Sequence, residues 1–252
     1  MPDSTAFYLF AIPAVLLIGL AKGGFSGLGA LGTPLMALGM DDPVRAAAVL
    51  LPILIAQDVV AVAAFRRSWD GAVLVAMLPG AVLGIGLGWW LAARISSDSV
   101  MAVLGLISIL FGAYRLWIER GGALTASSNS PAWVGSLFGV AAGFTSQIAH
   151  AGGPPFQMWV MPRRLPRDVF VGTTAIFFAI LNWIKVPAYA SLGQFTRENL
   201  IATAILLPFA VLASLAGVRL VRKVAPERFY TIVYWLMIVA GAKLVLDGLG
   251  LA

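Results

Sequence analysis

A few polar side chains interrupt an otherwise apolar chain, and their types suit an anion. Lys185 falls late in an apolar run, within Asn182-Trp183-Ile184-Lys185-Val186-Pro187. A charge inside a bilayer costs roughly 2.5–3.5 kcal/mol on insertion scales, so it needs a reason. Spacings of three and four residues put Thr174, Phe178, Asn182 and Lys185 on one helical face. Asn182 and Lys185 together could offer an anion several N–H donors. The plainer reading is a lysine that snorkels from near a helix end to the interface. Lys22 follows an apolar run over 6–21, only about 24 Å long at ~1.5 Å per residue. It could stop short of the far surface and bind an anion, or it could simply interact with a helix C-terminus.

Gln57 and Asp58 lie past the middle of another apolar run, 44–65. Asp58 could pair with a lysine or carry a coupling proton. His150 is the single histidine, three residues after Gln147, and could bind substrate or titrate near neutral pH. It could equally be a satisfied structural donor. Ser26, Thr33, Thr145 and Ser146 place hydroxyls beside glycines, where such groups also cap broken helices. The candidate substrate-binding set is therefore Lys22, Ser26, Gln57, Thr145, Gln147, His150, Asn182 and Lys185. The candidate proton-coupling residues are Asp58 and His150.

Other chemistries lack their parts. The chain has no cysteine and one histidine, so thiolate chemistry and a multi-histidine metal site are excluded. Neither a His-Glu-x-x-His pattern nor a Gly-x-x-x-x-Gly-Lys-Ser/Thr loop occurs, which argues against a zinc hydrolase and against ATP hydrolysis. No catalytic residue, metal or cofactor is expected.

The elements that would hold these residues are membrane helices. Of 252 residues, 60% are hydrophobic and 11% charged, against about 25% charged in ordinary soluble domains. Lipid must cover much of such a surface. Long apolar runs, rather than short alternating strands, favour helices over a barrel. Eight runs emerge, at 6–21, 44–65, 71–93, 99–117, 132–146, 169–190, 199–220 and 228–249. Most approach the ~20 residues that span a bilayer core. The formal charge of +6 fits cytoplasmic loops, and no basic patch interleaved with aromatics points to nucleic acid. The start, Met1-Pro2-Asp3-Ser4-Thr5, lacks a basic region, so the first run is expected to stay rather than to be cleaved. Trp89, Trp90, Trp117, Trp133 and Trp235 lie near run ends and read as an interfacial belt. Trp159 and Trp183 are weaker candidates for a cavity wall.

The two short runs, the first and the fifth, are each followed by a Gly-rich break. One break runs from Ala21 to Gly29 and leads into Ala30–Met40; the other runs from Gly143 to Pro155 and leads into Phe156–Met161. Gly24-Phe25-Ser26 echoes Gly143-Phe144-Thr145, Asp42-Pro43-Val44-Arg45 echoes Leu165-Pro166-Arg167-Asp168, and Leu78-Pro79 echoes Leu207-Pro208. The expected organisation is one repeat over 1–120, a connecting loop over 121–130 and a second repeat over 131–252. Interrupted segments at matching places in two halves are the best sequence pointer to a transport site. If each break is a re-entrant hairpin, Arg66, Arg67, Arg115, Arg120, Arg163, Arg164, Arg167, Arg219, Arg222, Lys223 and Arg228 fall on one side. Arg45, Arg94, Arg197 and Lys243 then lie near the other. That arrangement obeys the positive-inside rule better than single crossings do. It leaves each half three full spans, an odd number, so the repeats would be inverted. The fold class is all-α integral membrane: about eight hydrophobic helices in two inverted repeats, each opening with a broken or re-entrant helix.

At Lys22-Gly23-Gly24-Phe25-Ser26-Gly27-Leu28-Gly29 with Pro34, echoed at Gly152-Gly153-Pro154-Pro155, the chain resembles the sulfite exporter TauE/SafE family. This family is also called the four-toluene-sulfonate uptake permease family. The resemblance implies a secondary transporter, often an exporter, of sulfite or a small organosulfur anion such as a sulfonate. It further implies a multi-pass protein of the bacterial cytoplasmic membrane, with a small anion and the lipid bilayer as partners and a homo-oligomer left open. The alternatives are an ion channel or a transporter of a different small anion.

Overall fold

The computed structural model describes residues 5–22, 28–40, 42–122, 128–220 and 227–251. Among them are ten α-helices and no strand. They are α1 (Thr5–Lys22), α2 (Gly32–Ala37), α3 (Pro43–Phe65), α4 (Gly71–Ala92), α5 (Ser97–Glu119), α6 (Ala132–Ala149), α7 (Gly153–Val160), α8 (Arg167–Ser191), α9 (Arg197–Leu220) and α10 (Glu227–Gly248). Eight coincide with the apolar runs to within a few residues. The other two, α2 and α7, are short pieces that follow the breaks.

Local chemistry sets several helix starts. Asp42 Oδ1 accepts from the backbone N–H of Val44 at 2.9 Å and of Arg45 at 3.2 Å, with Pro43 in the first turn. Asp70 Oδ1 caps α4 in the same way through Ala72 and Val73. Six of the helices, α3, α4, α5, α6, α8 and α9, are long and apolar enough to cross a membrane. Bulky apolar side chains cover their outer faces. Val75 is 75% exposed and Trp133 65%, a surface suited to lipid rather than water.

Both broken segments double back. After α1 the chain returns antiparallel to it. Gly29 lies beside Ala21, Gly32 beside Ile18, and Gly39 beside Phe10 and Phe7. After α6 the same happens: Gly152 lies against Ala142 and Ser146, and Gly135 against the Trp159 ring. Arg163 then fastens the end of this second hairpin. It donates to the Trp159 carbonyl and, at 3.0 Å, to the Ser130 carbonyl, with its guanidinium carbon 3.4 Å from the Trp159 ring centroid.

The long helices pack in pairs: α4 on α6, α1 on α9, α5 on α10, and α3 on both α8 and α9. Small residues permit the closest of these. Gly80, Gly84 and Gly88 of α4 repeat every fourth residue and face α6, whose Gly139 and Gly143 face α4 in return. A Cβ at Gly84 would lie 2.1 Å from the Val140 carbonyl oxygen, so the backbones touch. Such small-residue ladders replace the hydrophobic effect as the packing device within lipid.

Three buried apolar clusters result, a small one around Leu51 and Tyr189 and two larger ones. Of the larger two, one is built around Val15, Leu50, Leu104, Leu206 and Met237, the other around Met77, Phe156, Phe177 and Leu181. The two hairpins and α8 meet at the seam between them.

Candidate functional site

A cavity of about 130 Å³ occupies that seam. Apolar walls come from Ile18, Leu54, Phe170 and Phe178, and polar atoms from Lys22, Ser146, His150, Gln157, Asn182 and Lys185. Both hairpins contribute: α1 ends at Lys22, and α6 ends at His150. From α8 come Thr174, Phe178, Asn182 and Lys185, the four residues that helical spacing put on one face.

The charged groups are paired across elements. Asp58 of α3 accepts from Lys22 Nζ on one carboxylate oxygen and from Asn182 Nδ2 on the other, the latter at 2.6 Å. Asp58 itself is 3% exposed and stands behind the two residues it binds. Lys185 is fully buried, and its ammonium has three protein partners. These are the Ser146 carbonyl and hydroxyl, each at 3.2 Å, and His150 Nδ1 at 2.7 Å. An ammonium has three N–H donors, so Lys185 is saturated. Among the described residues Lys22 has the one acceptor Asp58, which leaves N–H groups for a ligand. Lys22 is therefore the more available cation, although Lys185 is the more deeply placed in its apolar run.

His150 is an unusual helix end. It caps α6 in the left-handed region, φ 50° and ψ 26°, where glycine is the common choice. A non-glycine residue there costs on the order of 1 kcal/mol. The side chain offsets this by bridging two helices: Nδ1 faces Lys185 of α8, and Nε2 lies 2.8 Å from the Ala47 carbonyl of α3. Both ring nitrogens are thus engaged, as are both oxygens of Asp58. The proton-coupling role expected of each meets groups already holding partners in this conformation.

Three candidates stand away from the cavity. Gln57 turns toward α1 and α9, donating to the Ala210 carbonyl at 3.2 Å and the Val15 carbonyl at 3.5 Å. Thr145 bonds back to the Ala141 carbonyl of its own helix at 2.7 Å. Gln147 packs against Gly88 of α4, away from the cavity lining. Ser26 lies outside the described residues. Of the two tryptophans considered for the wall, Trp159 is buried in the α6–α7 hairpin and Trp183 is 63% exposed; neither lines the cavity.

Two participants were not foreseen. Gln157 of α7 lines the cavity and receives Arg115 Nη1 at 3.4 Å. Tyr189 lies one turn past Lys185, fully buried, with its hydroxyl donating to the Gln147 carbonyl at 2.6 Å. Extending the Thr174–Lys185 face by four residues points to Tyr189. Only the return helix α7 reveals Gln157.

The arrangement can hold a small anion at Lys22, with Asn182 and Lys185 close by and apolar walls around them. It contains no cluster of His, Cys, Asp or Glu able to hold a metal among the described residues. Neither a search of curated proteins nor a search of solved structures returns a match. A family profile described as sulfite exporter TauE/SafE matches residues 11–244, nearly the whole length. The chain belongs to the sulfite exporter TauE/SafE family, and is accordingly a membrane transporter of sulfur anions and not an enzyme.

Proposed function

We propose that the protein is a secondary transporter that exports sulfite or a small sulfonate across a bacterial cytoplasmic membrane. The observation that carries this reading is Lys22. It ends the first arm of a hairpin inside the apolar part of the molecule and faces the cavity beside Asn182, and among the described residues Asp58 is its one acceptor. Cationic donors set in apolar walls bind an oxyanion more strongly than in water, because the local dielectric is low.

Two inverted repeats fit the packing. Exchanging α1 with α6, α4 with α9, α3 with α8 and α5 with α10 maps the principal helix pairs onto one another. Alternating access by one repeat rocking against the other would move the walls of a seam cavity. The loop 66–70 abuts the start of α8 through the Asp70 N–H and Thr173 Oγ1 at 2.8 Å, and Arg163 reaches Ser130. This brings Arg66, Arg67, Arg163, Arg164 and Arg167 toward one end, the cytoplasmic end by the positive-inside rule. The lining of α8 extends from Lys185 toward that end at Phe170, the side from which an exporter takes its substrate.

Binding of purified protein to sulfite, methanesulfonate and matched carboxylates, read by thermal shift and calorimetry, tests the proposal. Sulfur oxyanions should stabilise the protein, and Lys22→Met should remove that effect. Stabilisation by carboxylates alone would give the site to another class of anion.

A further inference from the structure

The cavity's charge inventory can be counted. Asp58 accepts one N–H donor on each oxygen, the surroundings of an ionised carboxylate. His150 Nε2 faces a carbonyl, which can only accept, so Nε2 carries a hydrogen. One further proton lies between Lys185 Nζ and His150 Nδ1. The Ser146 carbonyl, the Ser146 hydroxyl and His150 Nδ1 match the three N–H donors of an ammonium, so the proton is on Lys185, His150 is neutral, and the pair carries a single positive charge. Lys22 adds one positive charge and Asp58 cancels one. Arg115 stands a layer further back, behind Gln157, with Glu119 one turn along its own helix. Among the described residues no other ionisable side chain lines the cavity.

Resting on the reading of this cavity as the anion site, we propose that Asp58, paired with Lys22 behind the cavity wall, sets the valence of the substrate at one negative charge. A monoanion neutralises the wall. A dianion brings a second charge with no partner, and it loses more hydration on entry. At an effective dielectric of about 20 and a separation of roughly 6 Å, one unit of charge alters binding on the order of 100-fold. Among sulfur oxyanions the class selected is bisulfite or an organic sulfonate bearing a single charge. Asp58 acts here through Lys22 and Asn182, as a residue that sets specificity without touching the ligand.

Methanesulfonate and sulfate make the test, since they are close in size and shape and differ by one charge. Calorimetry on the purified full chain should find methanesulfonate at least tenfold tighter than sulfate. Asp58→Asn keeps the side-chain shape and an acceptor for Lys22 while raising the wall's charge to two. It should bind sulfate more tightly than the wild type and move the ratio at least tenfold toward sulfate. Wild-type protein that binds sulfate as tightly as methanesulfonate overturns the proposal, whether or not the variant folds. A folded Asp58→Asn protein with the wild-type ratio overturns it as well. If neither anion binds the wild type, the anion-site reading itself fails and this assignment goes with it.

Discussion

Asp58 and Asn182 are each the sixteenth residue of their helices, counted from Pro43 of α3 and Arg167 of α8, and they are hydrogen-bonded to each other at 2.6 Å. Each helix is the first after its hairpin, α3 after α1–α2 and α8 after α6–α7, and the two pack against one another. Equivalent positions that touch are what a two-fold relation between halves would produce at its axis. The two side chains nevertheless differ, one an acceptor and one a donor, so the pair is satisfied without a proton.

Removing the donor leaves a buried carboxylate oxygen unpaired. Asn182→Ala should lower stability by the ~1.5–3 kcal/mol typical of hydrogen bonds to charged groups, read as thermal unfolding in detergent. Asn182→Asp should be worse, because two carboxylates would then face each other. An Asn182→Asp protein as stable as the wild type would show that this contact contributes nothing.

The two lysines should separate by readout. Among the described residues Lys22 has the single acceptor Asp58, so Lys22→Met should weaken anion binding about tenfold or more while leaving a folded protein. Lys185 gives all three N–H groups to Ser146 and His150. Lys185→Met should therefore act first on stability, leaving His150 Nδ1 and the Ser146 hydroxyl without this donor and the Ser146 carbonyl with only the His150 backbone N–H. Calorimetry and melting on both variants decide this; a stable Lys185→Met protein that has lost all binding would reverse the assignment.

Much of this was legible in the sequence, and the failures share a cause. Lipid demands unbroken apolar runs, so 71–93 anticipates α4 at Gly71–Ala92, and 169–190 anticipates α8 at Arg167–Ser191. A charge in such a run needs a partner, which made Lys22, Asp58 and Lys185 conspicuous. Neighbours on a helix, however, point about 100° apart. Gln57 was grouped with Asp58, and Thr145 with Ser146. In each case one residue faces the site and the other turns toward a neighbouring helix or its own backbone. The tertiary pairing of α3, α6 and α8, which no local pattern encodes, decides which of two neighbours is used.

His150 holds Lys185 and Ala47 through its two nitrogens, and the geometry favours positioning over proton carriage. His150→Gln removes the chain's single histidine, the side chain that ordinarily titrates between about pH 5 and 8. The pH profile of transport should keep its wild-type shape in this variant. A profile flattened across that range would restore His150 as the proton carrier.

Backbone contact between α4 and α6 gives a stability test remote from the site. Gly84→Ala would put a Cβ 2.1 Å from the Val140 carbonyl oxygen and force the helices apart. A loss of about 2 kcal/mol or more is expected, within the range for overpacking. Gly86→Ala, with nothing within 4 Å, is the control and should unfold no earlier than the wild type. Equal melting of the two variants would mean that this ladder does not set the packing.

The most direct test of the account is sulfite flux into proteoliposomes carrying either the wild-type chain or Lys22→Met. The wild type should give saturable uptake above protein-free vesicles, inhibited by methanesulfonate, and Lys22→Met should fall to the protein-free rate while remaining folded. Saturable flux through Lys22→Met at the wild-type rate would contradict the claim that the anion passes through the cavity at Lys22.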